Sequence, residues 1–150
     1  MRIALYQPEI AGNVGAVLRL GACFGVGVDL VKPMGFAWDD KRVRRAAMDY
    51  IDAVEVRRHG DFEGFEAAKG DARLILLTTK AATVLYDFRF RDDDILLFGR
   101  ESAGVPDEVR AQCDCAIRIP LRAVVRSFNV ATAAAIAIGE ALRQTGKLPA

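Results

Sequence analysis

Three short stretches place polar side chains where the surrounding residues are too apolar or too glycine-rich for ordinary surface. The first is Gly12-Asn13-Val14-Gly15-Ala16-Val17-Leu18-Arg19, in which Arg19 is the only charge between Ile10 and Val28. An unpaired cation is costly to bury. Arg19 must therefore pair with a carboxylate (Glu101 is one choice), snorkel to the surface, or face a cleft. The Gly12-x-x-Gly15 spacing is by itself a weak phosphate-loop signal. The second stretch is Gly99-Arg100-Glu101-Ser102-Ala103-Gly104-Val105-Pro106, where two glycines and a proline bracket a carboxylate directly after an apolar run. The third is Ile119-Pro120-Leu121-Arg122-Ala123-Val124-Val125-Arg126-Ser127-Phe128-Asn129, which leads into alanine-rich chain with no formal charge before Glu140. A loop that ends on a buried helix start offers backbone N–H groups to a ligand. Ser127 and Asn129 serve equally well as plain helix caps, and the residues alone leave both roles open.

The elements that must position these residues alternate. Apolar runs at residues 2–6, 26–32, 54–58, 73–77, 94–98 and 115–119 predict strands. Between them lie helical patterns. One is capped by Asn13 and ends near Gly25. A second is opened by Asp39 or Asp40, and a third runs from Asp61 to Lys69 and is closed by Gly70. A fourth spans residues 106–113. The last starts at Ser127 or Asn129, and its small uncharged residues predict burial. Residues 83–90 carry no clear period. Alternation of this kind gives an α/β fold with a mostly parallel sheet flanked by helices. Three strand exits, after Leu77, Phe98 and Ile119, enter Gly-, Thr- or Pro-containing loops, at the strand ends where open α/β sheets bind ligands. A Rossmann-like and a flavodoxin-like fold satisfy this pattern equally.

With 150 residues, 52% of them apolar, the chain is expected to form one domain. A net charge of +1 excludes a broadly basic surface, so a nucleic-acid partner must meet a local patch. The densest basic cluster is Lys41, Arg42, Arg44 and Arg45, with Phe36, Trp38 and Tyr50 close by. Bases stack on such rings while cations hold phosphate; a solvated helix face accounts for the same charges. Cys23, Cys113 and Cys115 show no disulfide framework, which points to reduced thiols and the cytoplasm. Cys113 and Cys115 stand too close for a usual zinc pair, and the single histidine, His59, is remote in sequence, so no metal is expected. The chain opens directly into a strand pattern, and no apolar run is long enough to span a bilayer, so neither a signal peptide nor a membrane partner is expected.

Taken together and in this order, the three stretches resemble the SpoU/TrmH group of the SPOUT RNA methyltransferases. Asn13, Gly15 and Arg19 match its first motif. Gly99, Glu101 and Gly104 match the second; Ile119, Pro120, Ser127 and Asn129, followed by a small-residue helix, match the third. The segment 33–42, with Arg44-Arg45-Ala46 and Asp49-Tyr50, is similar to the short single-domain branch of that group, which methylates the ribose of the tRNA wobble nucleotide. Two features depart from the pattern: the loop Leu121-Arg122-Ala123-Val124-Val125 is unusually apolar, and Arg100 adds a cation beside Glu101.

The resemblance implies a deep trefoil knot in the C-terminal part and a homodimer formed through it. General topology rules predict no such knot. It implies S-adenosylmethionine as cofactor, held at Leu77, Gly99, Ile119 and Ser127. It gives the chemical step to Arg19, with Asn13, Glu101 and Asn129 orienting it or the ribose. A guanidinium holds its proton too tightly to serve readily as a base; stabilising a developing alkoxide suits it better. Lys41, Arg42, Arg44, Arg45 and Arg126 are the residues expected to meet the tRNA anticodon stem-loop. Competing readings are another tRNA or ribosomal-RNA ribose as substrate, a non-catalytic RNA-binding module on the same scaffold, and a dinucleotide-binding enzyme. The last is weakened because Gly12-Asn13-Val14-Gly15 is not Gly-x-Gly-x-x-Gly.

Overall fold

Seven strands form one sheet in the computed structural model: β1 (Arg2–Tyr6), β2 (Gly27–Val31), β3 (Val56–His59), β4 (Leu74–Leu77), β5 (Thr83–Val84), β6 (Ile95–Phe98) and β7 (Cys115–Arg118). Their order is β3-β2-β1-β6-β4-β7-β5, and every pairing is parallel. The structure describes residues 1–48 and 50–150; Asp49, one of the residues carrying the resemblance, lies outside the described residues. Among the described residues five α-helices accompany the sheet: α1 (Ala11–Phe24), α2 (Asp40–Ala47), α3 (Phe62–Lys69), α4 (Asp107–Ala111) and α5 (Val130–Thr145).

Strand alternation sorts the core into two layers. Ile3 and Leu5 of β1 face Val14, Val17 and Leu18 of α1, with Ala137 and Ile138 of α5 in the same cluster. Ala4 and Tyr6 face the opposite way, toward Phe65 of α3 and Val109 of α4. Two buried carboxylates are paired rather than orphaned. Asp29 accepts from Arg2 Nε at 2.6 Å and lies 2.7 Å from His59 Nε2; Asp94 accepts twice from Arg73. Burial pushes the Cys113 thiol up to about 12. Among the described residues no group of three His, Cys, Asp or Glu could hold a metal ion, and no helix is long and apolar enough to cross a membrane.

The register aligns the strand ends that matter. Leu5 of β1 and Leu77 of β4 both pair with Phe98 of β6, and Leu77 also pairs with Ile117 of β7. The loops after β4, β6 and β7 therefore leave the sheet side by side.

Several boundaries differ from expectation. Helix α1 starts at Ala11 with Ile10 in the capping position and no side-chain cap, so Asn13 lies inside the first turn. Its far end is as expected, at Gly25 with φ 67. Strand β3 begins at Val56 rather than Val54, and α4 ends at Ala111, short of Cys113. Residues 83–90 give a two-residue strand and a 3-10 turn over Leu85–Asp87. Helix α5 buries Ala134, Ala137, Ile138, Ala141 and Leu142, yet Thr132 and Ala135 are exposed and nothing lies within 4 Å of a Cβ built on Gly139. The helix, uncharged from Val130 to Gly139, is thus buried on one face only.

Candidate active site

The three aligned loops enclose a cavity of about 640 Å³. Leu77, Thr78 and Lys80 line it from the loop after β4, residues 99–105 from the loop after β6, and Ile119, Leu121, Ser127 and Asn129 from the loop after β7. Asn13 and Ile10 close it from α1. All four residues expected at the cofactor, Leu77, Gly99, Ile119 and Ser127, are in this wall.

A chain of hydrogen bonds ties the polar members together, and its direction follows from one helix cap. Asn129 Oδ1 accepts from Ala131 N–H at 2.9 Å and from Thr132 N–H at 3.4 Å, satisfying donors left open at the start of α5. With its oxygen committed, Asn129 presents its NH2 outward, and Nδ2 donates to Asn13 Oδ1 at 2.9 Å. Asn13 must then turn its own NH2 the other way, where Nδ2 donates to Glu101 Oε1 at 3.0 Å. Glu101 Oε2 accepts from the backbone N–H of Glu9 at 2.8 Å. The orientation of both amides, invisible in most density maps, is set here by chemistry: neither can flip without putting two acceptors or two donors face to face.

Glu9 carries a role that sequence patterns did not reveal. Its carboxylate accepts from Ser102 N–H at 2.8 Å and Ser102 Oγ at 2.7 Å, and these bonds hold its pKa below the ordinary carboxylate value. Together with the Glu9 N–H to Glu101 bond, this clasps the segment before α1 onto the loop after β6. The reciprocity of a Pro-Glu-Ile segment with a distant Glu-Ser pair has no local signature. Lys80, Asp107 and Arg110 also line the cavity and were likewise unmarked.

Of the three placements open to it, Arg19 takes the surface in the structure. It does not line the cavity, it is exposed, and it is not paired with Glu101. Its guanidinium donates to Met48 Sδ and lies 5.8 Å from the centroid of the Tyr50 ring. Helix geometry explains this. At about 100° per residue, six residues put Arg19 roughly 120° around α1 from Asn13 and about 9 Å along it. It shares its face instead with Gly12, Ala16 and Cys23, all exposed.

The basic residues expected to meet RNA are not in the cavity wall. Lys41, Arg42 and Arg45 are exposed on α2; Arg44 is exposed and pairs with Asp52 at 3.3 Å. Arg126 is exposed in the loop after β7 and is not part of the cavity wall. Of the three aromatics, only Tyr50 is open; Phe36 and Trp38 pack partly against the core, and Arg58 stacks over Trp38 at 5.0 Å.

Residues 1–139 match the model of the SpoU rRNA Methylase family. A tRNA (cytidine(34)-2'-O)-methyltransferase from Beijerinckia indica subsp. indica is 53% identical over 148 residues, covering 97% of this chain and 92% of the relative. A solved structure described as giving insight into 2-OH methylation of C/U34 on tRNA superposes with a TM-score of 0.91 at 40% identity, covering 95% of this chain and 94% of its own. The SpoU methyltransferase AviRb from Streptomyces viridochromogenes, solved in complex with AdoMet, superposes with a TM-score of 0.83 at 26% identity, covering 96% of this chain and 60% of its own. By motif order, fold and full-length similarity, the chain belongs to the SpoU rRNA methylase family.

Proposed function

We propose that this chain transfers a methyl group from S-adenosylmethionine to the ribose 2′-hydroxyl of the tRNA wobble nucleotide, in the cytoplasm and as a homodimer. The observation that carries the reading is the convergence of Asn13, Glu101 and Asn129 with the three loop exits in one cavity at the C-terminal end of a parallel sheet. Relatives named for this reaction match the chain almost end to end.

The cavity suits the cofactor. Its volume falls in the range of small-molecule sites. Leu77, Phe98, Ile119 and Leu121 offer apolar walls for a purine. At Gly99 the wall is backbone packed on backbone, since a Cβ there would meet the Gly104 and Val105 main chain. When bound, the cofactor supplies a methyl group made electrophilic by its sulfonium. What remains to the protein is orientation and electrostatics. Leu77, Gly99, Ile119 and Ser127 hold the cofactor. The amide pair Asn13–Asn129, locked by the α5 cap and by Glu101, orients the ribose.

The chain path supports the knot and the dimer. Helix α5 follows β7 near one side of the sheet, yet packs on β6 and α1, so the chain crosses back past the loop after β6. The open faces of α1 (Gly12, Ala16) and α5 (Thr132, Ala135, Gly139) are small enough for close helix approach, and Ile10, Val124, Val125 and Phe128 leave apolar surface exposed nearby. Since Arg19 stands on that open α1 face, we place it at the cavity of the second copy. Arg19→Ala and Glu101→Gln chains should each lose at least tenfold in methyl transfer. Unfolded and reannealed as an equal mixture, they should recover roughly a quarter of wild-type activity, because half the random pairs hold one intact site. Recovery no greater than the sum of the parents would return Arg19 to its own chain.

Lys41, Arg42 and Arg45 are proposed to meet the anticodon stem-loop. Changing all three to Gln should weaken tRNA binding and flatten the dependence of log affinity on log salt by about 2 to 3. An unaltered slope would make α2 a solvated face.

The reaction itself is tested by incubating the protein with tRNA and methyl-labelled cofactor, then digesting to nucleosides for mass spectrometry. A 2′-O-methylated wobble nucleoside is expected, and a transcript with 2′-deoxyribose at that position should accept no label. Label entering that deoxy transcript undiminished would place the reaction elsewhere.

A further inference from the structure

We propose that Arg100 is a substrate-binding residue that grips a phosphodiester next to the target ribose. The inference rests on the RNA-methylation reading above and extends it to a residue that the second motif leaves unspecified.

Arg100 lines the cavity beside Glu101 and Asn13, yet among the described residues it forms no ion pair. The two nearest carboxylates in the loop network are already engaged. Glu9 gives its oxygens to Ser102, and Glu101 gives its own to the Glu9 N–H and Asn13 Nδ2. The Arg100 Nε is buried with no hydrogen-bond partner. The guanidinium lies 5.9 Å from the Tyr6 ring centroid, so one face rests on an aromatic ring that is itself buried. The base of the arm is clamped as well: Arg100 N–H donates to Gly104 O at 3.0 Å and Gly104 N–H donates back to Arg100 O at 2.9 Å. A stacked guanidinium that feels the Glu9 charge but bonds no carboxylate oxygen is a half-built anion site.

Position and geometry select the anion. Arg100 is one residue from Glu101, which holds Asn13 directly, and it shares the cavity wall with the amide pair proposed to orient the ribose. Of the walls proposed for the purine, Leu77, Ile119 and Leu121 come from other loops, while Phe98 leads into the loop of Arg100, so cofactor binding is measured beside tRNA binding. The phosphate closest to a ribose 2′-hydroxyl lies within the same nucleotide step. Stacking leaves the N–H edge of a guanidinium free, and that edge matches a phosphate in two-pronged fashion.

The test compares wild type, Arg100→Gln and Arg100→Lys as full chains. Dissociation constants are measured for tRNA across salt concentrations and, separately, for S-adenosylmethionine. For Arg100→Gln, tRNA affinity should fall about tenfold near physiological salt, with the salt slope shallower by about 0.7 to 0.9. Cofactor affinity should be unchanged, which also reports an intact fold. Arg100→Lys should recover the slope but only part of the affinity. An anticodon stem-loop carrying one neutral methylphosphonate 3′ to the wobble ribose should bind wild type more weakly, and Arg100→Gln no more weakly than it binds the natural stem-loop. A loss of cofactor affinity with an unaltered tRNA slope would overturn the proposal by assigning Arg100 to the cofactor carboxylate. Unaltered binding of both ligands would overturn it equally. Failure of the methylation reading would show in the wild-type protein; failure of this one shows only in the difference between variants.

Discussion

Gly99→Ala is expected to reduce methyl transfer by more than about a thousandfold, with weakened cofactor binding and a loss of roughly 1–3 kcal/mol in stability. A Cβ built on Gly99 collides with the carbonyl carbon of Gly104 and stands 2.6 Å from its Cα and 2.8 Å from Val105 N. All three are backbone atoms, so no side-chain rotation relieves the clash. The Gly104 backbone, at φ 66, is held over Gly99 by its two reciprocal bonds with Arg100, so the added methyl must open that turn. Opening it moves Glu101, and with Glu101 go the bonds to Glu9 N–H and Asn13 Nδ2. One substitution thus narrows the cofactor wall and releases the amide pair; a displacement of about 1 Å at such a site can cost a hundredfold by itself. Single-turnover rates with saturating tRNA, together with cofactor titration and thermal unfolding, measure all three effects. Activity within threefold of wild type would separate the loop after β6 from the site.

The sequence makes the central strands legible because burial on both faces demands continuous apolar runs; Ile3–Tyr6, Leu74–Leu77 and Ile95–Phe98 need no tertiary information to be seen. It also marks the three loops that meet at the cavity, through polar residues set among glycines and prolines at strand exits. It does not show strand order. That β6 inserts between β1 and β4 depends on long-range pairing that leaves no local period. Asn13 misleads for an instructive reason. Its side chain is a good cap, but Glu101 and Asn129 compete for it, and the tertiary partners win; α1 starts at Ala11 without a side-chain cap. Arg19 misleads because its apolar neighbours suggest burial, whereas glycine and alanine at its own helical face leave it open. The small-residue helix α5 shows the same ambiguity: low charge is compatible with a core and with a surface awaiting another helix, and composition cannot distinguish them.

A pair of substitutions at Asn129 should divide cap from site. Asn129→Ala removes the acceptor for Ala131 and Thr132 N–H and the donor to Asn13 together. It should lower stability by about 1 kcal/mol and methyl transfer by roughly a hundredfold or more. Asn129→Asp keeps an oxygen at the cap and adds a negative charge at the positive end of α5, so the thermal midpoint should hold or rise. Yet the aspartate has no N–H to give Asn13 Oδ1. Two acceptors then face each other at what is now a 2.9 Å contact. Asn13 relieves this only by turning, which swings its oxygen toward Glu101, an acceptor again. Either way the amide pair loses its fixed direction, and methyl transfer should fall a few hundredfold although the helix is no less stable. The effect of Asn13→Ala should then be far smaller in the Asn129→Asp background than in wild type, because both act on one linked chain of bonds. If activity instead tracks the thermal midpoint across both Asn129 variants, the residue serves the helix alone, and the orientation of the ribose must come from elsewhere in the cavity.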